Sequence, residues 1–329
     1  MISLKEGVKS YLCRLNDKYR SIQMDYESLL PQIEYQGEIP KNIFQICLRG
    51  KEEEAISVIK SFANFDKELL DNICFLQNNN PDYNYQLICD KEAKIIIHKY
   101  YGQRIWEYYL RINKKYGAAR ADLLRYLVLY ALGGVYLDLK STVLYPLSLN
   151  IQQGDSFLIM YWDCFSGGKK YNLVQDLPNG ELLTGFLVCS KGHPFMRNVI
   201  IQTLKNIDAY NPFRERTGTG ILRITGNTMY SLTINHNYLE YHSKPNGLTG
   251  VRYEEAFHHF GYKLHYSGDY LAGDYSPNVY LRRAGLSNYR KHMTPVIASR
   301  NMALRYINSL YYLLAKCIVV FKTAIKPLA

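Results

Sequence analysis

The sequence predicts an α/β fold built on a mainly parallel sheet, with helices added at both ends of the chain. Segments that are typical of buried strands occur at residues 43–48, 81–90 and 135–138. Segments with helical periodicity lie between them, at residues 52–62 and 115–132. Strand and helix therefore alternate along the chain, and such alternation is typical of parallel sheets with helices on their faces.

Both ends of the chain are predicted to be helical. Apolar residues recur three and four apart over residues 4–30, which predicts an amphipathic helix that ends before Pro31. Residues 304–325 set Arg305 and Lys316 among apolar and aromatic residues, and their apolar stretch is shorter than the about 20 residues that span a bilayer. Two interpretations stay open for this helix: it lies in a membrane interface, or it packs on the main domain. The predicted division is a helical extension at 1–36, a main domain at 37–300 and a basic amphipathic helix at 301–329.

The second half of the main domain has weaker periodicity. Strands are predicted at residues 157–162 and 183–189, a helix at 194–207, and mainly loops between 234 and 288. Loops of this length usually carry acceptor contacts or a lid, and disorder of part of this stretch is the alternative.

The composition favours a globular protein with an anionic partner. The chain has 329 residues, 47% of them hydrophobic, which is enough for a sizeable packed core. Its 40 Lys and Arg against 29 Asp and Glu give a net charge of +11, which favours nucleic acid, anionic lipid or a phosphorylated small molecule as the partner. The charges are spread along the chain, without zinc-finger spacing or an arginine-rich arm, so we expect no nucleic acid.

The cysteines indicate a reducing compartment. The seven are an odd number, are scattered, and show neither CxxC pairs nor other metal-ligand spacing. No Asn-x-Ser/Thr sequon occurs, and the first residues lack the apolar core of a signal peptide. We therefore expect free thiols and a cytoplasmic protein, which can also be peripheral on a membrane face.

The central segment combines three cations with two carboxylates: Arg120, Arg125 and Lys140 with Asp122 and Asp138. Asp122 and Arg125 are three residues apart and share one face of the predicted helix. Transfer from a sugar nucleotide needs this combination, because cations stabilise the departing diphosphate while carboxylates hold the sugar. A simpler interpretation is a surface salt bridge between Asp122 and Arg125, with Asp138 capping a turn at the end of a strand.

The same segment resembles a known family. The strings AARADLLRY at residues 118–126, LY at 129–130 and GGVYLD at 133–138 are similar to the sugar-binding DXD region of glycosyltransferase family 32. That family includes capsular-polysaccharide transferases and outer-chain mannosyltransferases. Further similar segments follow in order at residues 39–46, 81–90, 190–195 and 225–227, and the ordered series is more specific than any one of its pieces.

The resemblance implies a GT-A-like fold and a glycosyltransferase. The enzyme would move a hexose from a UDP- or GDP-sugar to a glycan or lipid-linked glycan, with retention and an α-linkage. Asp122 and Arg125 would hold hydroxyls of the donor sugar, and Asp138 would face the ribose and the metal-diphosphate. Asp90 would lie on the same rim as Asp138, because open α/β sheets bind ligands beyond the carboxyl ends of their strands. The implied donor-binding residues are Ile46, Asp90, Ala118, Asp122, Arg125, Tyr136, Asp138 and Lys140.

The chain departs from the family at the DXD motif, which reads Asp138-Leu139-Lys140. A hard divalent cation prefers oxygen ligands, and a lysine both removes one and repels the cation. Either Mn²⁺ or Mg²⁺ is still held by Asp138 and a distant ligand, or Lys140 itself neutralises the diphosphate. We expect a retained metal, because diphosphate oxygens and water can complete its six ligands. A second departure is Thr184-Gly185, where the family usually has an Asn.

The resemblance implies that the distant metal ligand is a histidine of the C-terminal third. His292 is the first candidate, and His258, His259 and His265 compete with it. Each of them has the alternative of being a surface histidine or a satisfied core histidine.

Two rival functions stay open on the sequence alone. Lys140 could mark a decayed site in a protein that binds a sugar nucleotide without transferring the sugar, and such a protein would release no nucleotide diphosphate. A basic nucleic-acid-binding domain would instead show an affinity that falls steeply with salt and no response to sugar nucleotides.

Overall fold

The computed structural model of the chain describes residues 2–19, 24–48, 65–161, 174, 176–215, 217–243, 248–264 and 294–325. Within these ranges a six-stranded sheet forms the centre of the molecule, and a two-stranded ribbon accompanies it. The predicted helix at 52–62 and the candidate ligands His265 and His292 lie outside the described residues.

The central sheet is mainly parallel. In chain order its strands are β1 Asn42–Ile46, β2 Asn84–Ile88, β3 Gly134–Leu137, β5 Phe157–Tyr161, β6 Phe186–Cys189 and β7 Val251–Glu255. Their order in the sheet is β2-β1-β3-β6-β5-β7, with parallel pairing everywhere except on the two sides of β6. Five of these strands therefore point the same way. The ribbon consists of β4 Ser141–Val143 and β8 Tyr262–Leu264.

Helices surround the sheet and extend to both ends of the described chain. They are α1 Ile2–Lys18, α2 Tyr26–Leu29, α3 Phe65–Asn79, α4 Asp90–Arg111, α5 Gly117–Leu132, α6 Pro194–Ala209, α7 Thr217–Ile224, α8 Asn227–Ser243, α9 Ala256–Phe260 and α10 Met302–Ile325. The predicted fold class is confirmed: the protein is α/β, with a mainly parallel sheet and helices at both ends.

Helix α5 is the buried centre of the fold. It packs against α4 and α6, and its residues from Ala119 to Ala131 are buried with the exception of Ala121. Its sequence is apolar on nearly every face, as a helix enclosed by other elements requires. The helix ends at Gly133, whose φ of 66° favours glycine. A Cβ on the next residue, Gly134, would lie 2.7 Å from the carbonyl oxygen of Asn42, so a side chain there would push β3 away from β1.

Several predicted elements are displaced or divided in the structure. Asp90 was expected to end the second strand, but it is the first residue of α4, because β2 ends at Ile88 and Cys89 is the N-cap. The expected loops after residue 234 include the second half of α8, strand β7, helix α9 and strand β8. Short elements of this kind escape periodicity analysis because they are held by tertiary pairing, here β7 with β5 and β8 with β4.

The two terminal helices contact each other. The side-chain amides of Asn16 in α1 and Asn308 in α10 exchange hydrogen bonds of 3.1 and 2.8 Å, and both residues are buried. The single helix expected at residues 4–30 is divided into α1 and α2. No helix in the described ranges is long and apolar enough to cross a bilayer. The division at 1–36, 37–300 and 301–329 stays a prediction.

Candidate functional site

The candidate site lies where helix α5 begins and strand β3 ends. Asp122 and Arg125 are in the first half of α5, and Asp138 follows the last residue of β3 directly. Asp122 and Arg125 are 6% and 5% exposed, so the predicted alternative of a surface salt bridge is wrong. A charged pair inside an otherwise apolar helix needs partners in the fold, because unpaired buried charges are strongly destabilising.

Arg125 joins the two carboxylates. Its Nη2 lies 3.1 Å from Oδ1 of Asp122, and its Nη1 lies 3.2 Å from Oδ1 of Asp138. Nη1 also donates a hydrogen bond of 2.5 Å to the carbonyl oxygen of Thr184, and the guanidinium carbon lies 4.6 Å from the ring centre of Tyr136. The guanidinium therefore fixes how the end of β3, the start of α5 and the segment before β6 meet.

The far side of Asp122 is closed by Thr225. Its hydroxyl donates a hydrogen bond of 2.8 Å to Oδ2 of Asp122, and its carbonyl oxygen accepts one of 2.8 Å from the hydroxyl of Tyr126. Two residues later, the side-chain oxygen of Asn227 accepts a hydrogen bond from the hydroxyl of Thr184. Sequence reasoning noticed residues 225–227 as a similar segment but gave them no role, whereas the structure brings them to Asp122 and Thr184.

Asp138 is the most accessible of the three charged side chains. Its side chain is 24% exposed, against 9% for Asp122 and 6% for Arg125. Oδ1 of Asp138 accepts a hydrogen bond of 2.8 Å from the hydroxyl of Tyr136. Oδ2 lies 3.2 Å from the position that a Cβ on Gly185 would take. The glycine thus keeps space in front of this carboxylate.

Gln45 holds the turn that carries Asp138. Its side-chain amide donates a hydrogen bond of 3.1 Å to the carbonyl oxygen of Asp138 and accepts one of 2.8 Å from the hydroxyl of Tyr85. The backbone NH of Asp138 donates to the carbonyl oxygen of Gly185 at 2.8 Å. Sequence reasoning missed Gln45, although a fully buried polar residue in an apolar strand is a signal that its amide is engaged.

The pKa values of the two carboxylates shift in opposite directions. Burial raises the pKa of Asp122 above its usual value, and the charge of Arg125 and the hydroxyl of Thr225 offset this only in part. For Asp138 burial acts in the same direction, but the charges of Arg125 and Lys140 and the hydroxyl of Tyr136 outweigh it and lower the pKa. Asp138 is therefore the carboxylate that stays ionised to lower pH.

The other implied donor-binding residues lie at the same edge with different degrees of exposure. Ile46 is the buried last residue of β1, and Ala118 is half-buried in the first turn of α5. Lys140 is half-buried in the turn after β3, where its charge acts on Asp138. Asp90 is half-buried at the start of α4, and its charge acts on Arg120.

Arg120 does not belong to the site. Its Nε donates a hydrogen bond of 2.8 Å to the carbonyl oxygen of Ile112, and its guanidinium carbon lies 5.2 Å from the ring centre of Tyr109. It therefore ties α5 to the end of α4. The expectation that three cations surround the two carboxylates is corrected to Arg125 in contact with both and Lys140 near Asp138.

The histidines in the described ranges have other partners. His258 and His259 contact the carboxylates of Glu255 and Glu254, and their side chains are 66% and 58% exposed. No three His, Cys, Asp or Glu side chains gather into a metal site among the residues that the structure describes. Of the predicted metal ligands within these ranges, Asp138 lies in the site, and it fits the role because its lowered pKa keeps it ionised and it is the most accessible of the three charged side chains.

Comparison with known proteins identifies the region that holds these residues. Residues 66–158 match the profile described as "Glycosyltransferase sugar-binding region containing DXD motif". This stretch of the chain is similar to the sugar-binding region of glycosyltransferases. Helix α5, strand β3 and the Asp138 turn all lie inside the matched residues, and the resemblance to glycosyltransferase family 32 is confirmed.

Two curated relatives carry the same name, initiation-specific alpha-1,6-mannosyltransferase. The protein from Candida albicans is 31% identical over 142 residues, which are 41% of this chain and 34% of that protein. The protein from Schizosaccharomyces pombe is 27% identical over 118 residues, which are 34% of this chain and 26% of that protein. The matched part of the chain therefore spans about a third or less of the length of these relatives.

Solved structures that resemble the chain include two glycosyltransferases. The PaToxG glycosyltransferase matches with a TM-score of 0.39 and 13% identity, over 95% of this chain and 96% of that one. The UDP-bound glycosyltransferase domain of the YGT toxin matches with a TM-score of 0.38 and 10% identity, over 67% of this chain and 80% of that one.

Proposed function

We propose that the protein is a glycosyltransferase that moves a hexose from a UDP- or GDP-sugar to a glycan or lipid-linked glycan, with retention of the anomeric configuration. The observation that carries the proposal is the buried Arg125 held between Asp122 and Asp138 within the sugar-binding region. The position at the carboxyl ends of β1 and β3 supports it, because α/β sheets bind ligands there.

Asp138 is the group that meets the donor first in this proposal. It is the most accessible member of the cluster. The charges of Arg125 and Lys140 and the hydroxyl of Tyr136 lower its pKa and so keep it ionised. Arg125 and Asp122 lie on the side of Asp138 that faces the protein interior, and each already holds a partner there. Their predicted contacts with the hydroxyls of the donor sugar stay predictions.

The transfer itself needs no separate base. The bond between the anomeric carbon and the diphosphate oxygen breaks, and the acceptor hydroxyl attacks the same face. The proton of that hydroxyl passes to the departing phosphate oxygen. The role of the protein is to orient the sugar and to stabilise charge that develops in the transition state, which is the largest contribution in many enzymes. Lys140 supplies a positive charge near Asp138 for this purpose.

A divalent cation would be held by Asp138 together with oxygens of the diphosphate and water. Its chemistry would be to neutralise the departing diphosphate. The predicted contribution of His292, which lies outside the described residues, stays a prediction.

The names of the curated relatives give the first sugar to test. Both are mannosyltransferases, so a mannose nucleotide is the first donor to compare with other UDP- and GDP-sugars. A thermal-shift screen with and without Mn²⁺ identifies the donor, since a ligand at 100 times its Kd stabilises the folded state by about 2.7 kcal/mol. Release of the nucleotide diphosphate is then measured for the wild type, Asp138→Ala and the surface control Asp82→Asn.

The proposal expects donor hydrolysis in the wild type and in Asp82→Asn, and none in Asp138→Ala. Stabilisation by a sugar nucleotide without release of the diphosphate would establish the rival function, a binding protein with a decayed site, which Lys140 in the motif favours. If no sugar nucleotide stabilises the protein, the proposal fails.

We also propose a cytoplasmic location. The support is chemical: Cys89 and Cys189 are buried free thiols, and Cys74 and Cys317 are exposed free thiols. Exposed free thiols persist in reducing compartments. Fractionation of cells that express the tagged protein, with thiol labelling of each fraction, tests this location.

A further inference from the structure

A groove of about 460 Å³ lies on the side of the molecule where α10 begins. Four arginines line it, and we call it the arginine groove: Arg104 and Arg111 from α4, Arg300 from the segment before α10, and Arg305 from the first turn of α10. Glu107 is the one acidic residue of its lining. The groove is therefore strongly positive, and it uses residues that the donor site does not.

Two of the four arginines pair with a carboxylate of the protein and two do not. Arg111 and Arg300 both pair with the buried carboxylate of Asp208. Arg305 donates to the carbonyl oxygen of Ser299, at 3.2 and 3.0 Å, and among the described residues no carboxylate pairs with it. Arg104 is exposed, and no carboxylate pairs with it in the described part of the chain. Guanidinium groups bind phosphate oxygens in pairs, so the groove fits a phosphate.

Helix α10 exposes an apolar face that begins beside this groove. Met302, Tyr306, Leu310 and Leu313 recur four, four and three residues apart and are 57–70% exposed. The opposite side of the helix packs on the protein through the buried Leu304 and Asn308. The packed face and the exposed face therefore coexist on one helix.

Two basic residues of α10 lie along one border of its apolar face. Arg305 and Lys316 are eleven residues apart, which is close to three turns, so both project from the same side of the helix. Both are exposed. An apolar face with basic residues beside it is the pattern of a helix that lies in the interface of an anionic membrane.

We propose that the arginine groove binds the phosphate of an anionic membrane lipid while the apolar face of α10 enters the membrane interface. A second copy of the chain fits this surface less well, because its arginines would face those of the first. The sequence predicted only that the C-terminal helix lies in a membrane interface. The structure adds the groove that would bind the lipid phosphate, the negative charge of that lipid and the residues that would contact it. It also orients the protein with α10 against the membrane, the side from which a lipid-linked acceptor would come if the proposed function holds.

Co-sedimentation with lipid vesicles tests the proposal on the full chain. Vesicles of phosphatidylcholine alone are compared with vesicles that also contain phosphatidylglycerol. We expect binding only to the anionic vesicles, and at least a tenfold loss in both of two double variants, Arg104→Gln with Arg305→Gln and Leu310→Gln with Leu313→Gln. The matched control, Arg223→Gln with Leu239→Gln, changes an exposed arginine of α7 and an exposed leucine of α8, and should bind like the wild type.

A second measurement keeps the test independent of folding defects. In Leu313→Trp, the added indole should shift its emission to shorter wavelength with anionic vesicles and not with neutral ones. Circular dichroism and donor hydrolysis without vesicles should be unchanged in all variants. A wild type that binds vesicles but hydrolyses no donor would refute the proposed function and leave this inference intact.

Three results would overturn the inference. The first is equal binding to neutral and anionic vesicles, and the second is unchanged binding in either folded double variant. The third is a dimer in light scattering that the leucine variant dissociates, which would assign the apolar face to a second copy.

Discussion

The guanidinium of Arg125 lies between the carboxylates of Asp122 and Asp138 and contacts both of them. Removal of the guanidinium would leave the buried Asp122 and the neighbouring Asp138 without their shared cation, and an uncompensated buried charge costs several kcal/mol in proteins. The three-residue spacing of Asp122 and Arg125 was visible in the sequence. Their burial was not, because it depends on the helices and segments that cover this part of α5.

The DXD turn allows a prediction about metal dependence. We expect exhaustive chelation with EDTA to abolish donor hydrolysis and Mn²⁺ to restore it, because an ionised Asp138 with diphosphate oxygens and water supplies the oxygen ligands that such ions prefer. Lys140→Asp should then bind the metal more tightly. Full wild-type activity after chelation would contradict this prediction and would mean that Lys140 neutralises the diphosphate. In that case Lys140→Ala should lose about a hundredfold in activity.

Gly185 allows a prediction about space in the site. A Cβ there would lie 2.9 Å from the hydroxyl oxygen of Tyr262 and 3.2 Å from Oδ2 of Asp138. We expect Gly185→Ala to lower kcat/KM for donor hydrolysis about tenfold, equivalent to about 1.4 kcal/mol, with little change in Tm. Gly7→Ala is the control, since a Cβ at Gly7 meets nothing within 4 Å. Equal rates for the two variants would show that the space before Asp138 is not used.

Asp208 connects several helices. It lies in α6, and its carboxylate accepts hydrogen bonds from Tyr26 of α2 at 2.9 Å and from Tyr108 and Arg111 of α4. Burial alone would raise its pKa, but the hydrogen bonds from Tyr108 and Arg111 and the charges of Arg111 and Arg300 hold it below its usual 3.8. The helices themselves follow from apolar periodicity, whereas this junction joins residues 182 apart in sequence.

The lowered pKa of Asp208 sets a pH dependence. A carboxyl whose pKa is lower in the folded state contributes stability above its unfolded pKa, and this stability is lost as the pH falls through the folded value. Asp208→Asn should therefore lower the free energy of unfolding by about 3 kcal/mol at pH 7, and the difference from the wild type should shrink below about pH 4.

Urea unfolding at several pH values measures this difference. Asp82→Asn is the control, because Asp82 forms only an exposed pair with Lys41 at 2.5 Å. That variant should lose less than about 1 kcal/mol. A constant difference between Asp208→Asn and the wild type from pH 7 to acid would show that this carboxyl does not titrate in the way described.

In the whole molecule, the two ends of the described chain meet. Asn16 and Asn308 are 292 residues apart and exchange amide hydrogen bonds in a buried contact. The hydroxyl of Tyr312 in α10 donates to the carbonyl oxygen of Pro212, and its ring stacks on Phe213. The C-terminal helix is thus packed on one side and exposed on the other, so the packed-helix interpretation holds for one face and the membrane interpretation stays a prediction for the other.

The contact between the ends predicts that substitutions of Asn16 and Asn308 have strongly coupled effects on stability. Asn16→Ala and Asn308→Ala should each lower the free energy of unfolding by about 1–3 kcal/mol, because each leaves a buried amide without its partner. The double variant should lose little more than one single variant, since the partner is already gone. A urea double-mutant cycle measures this, with Gln103→Ala on the exposed side of α4 as a control that should stay within about 0.5 kcal/mol. Additive losses would mean that the two amides act separately.

The sequence by itself determined the α/β class, α5 with the strand after it, and the charged residues of the site, because period and spacing are local properties. It placed Asp90 at the end of a strand, and it counted Arg120 among the site cations. Only the tertiary structure decided that Arg125 joins both carboxylates, that Thr225 and Gln45 fix them, and that Gly185 leaves space in front of Asp138. These contacts link residues brought together by sheet pairing and helix packing, and no local pattern encodes such distances.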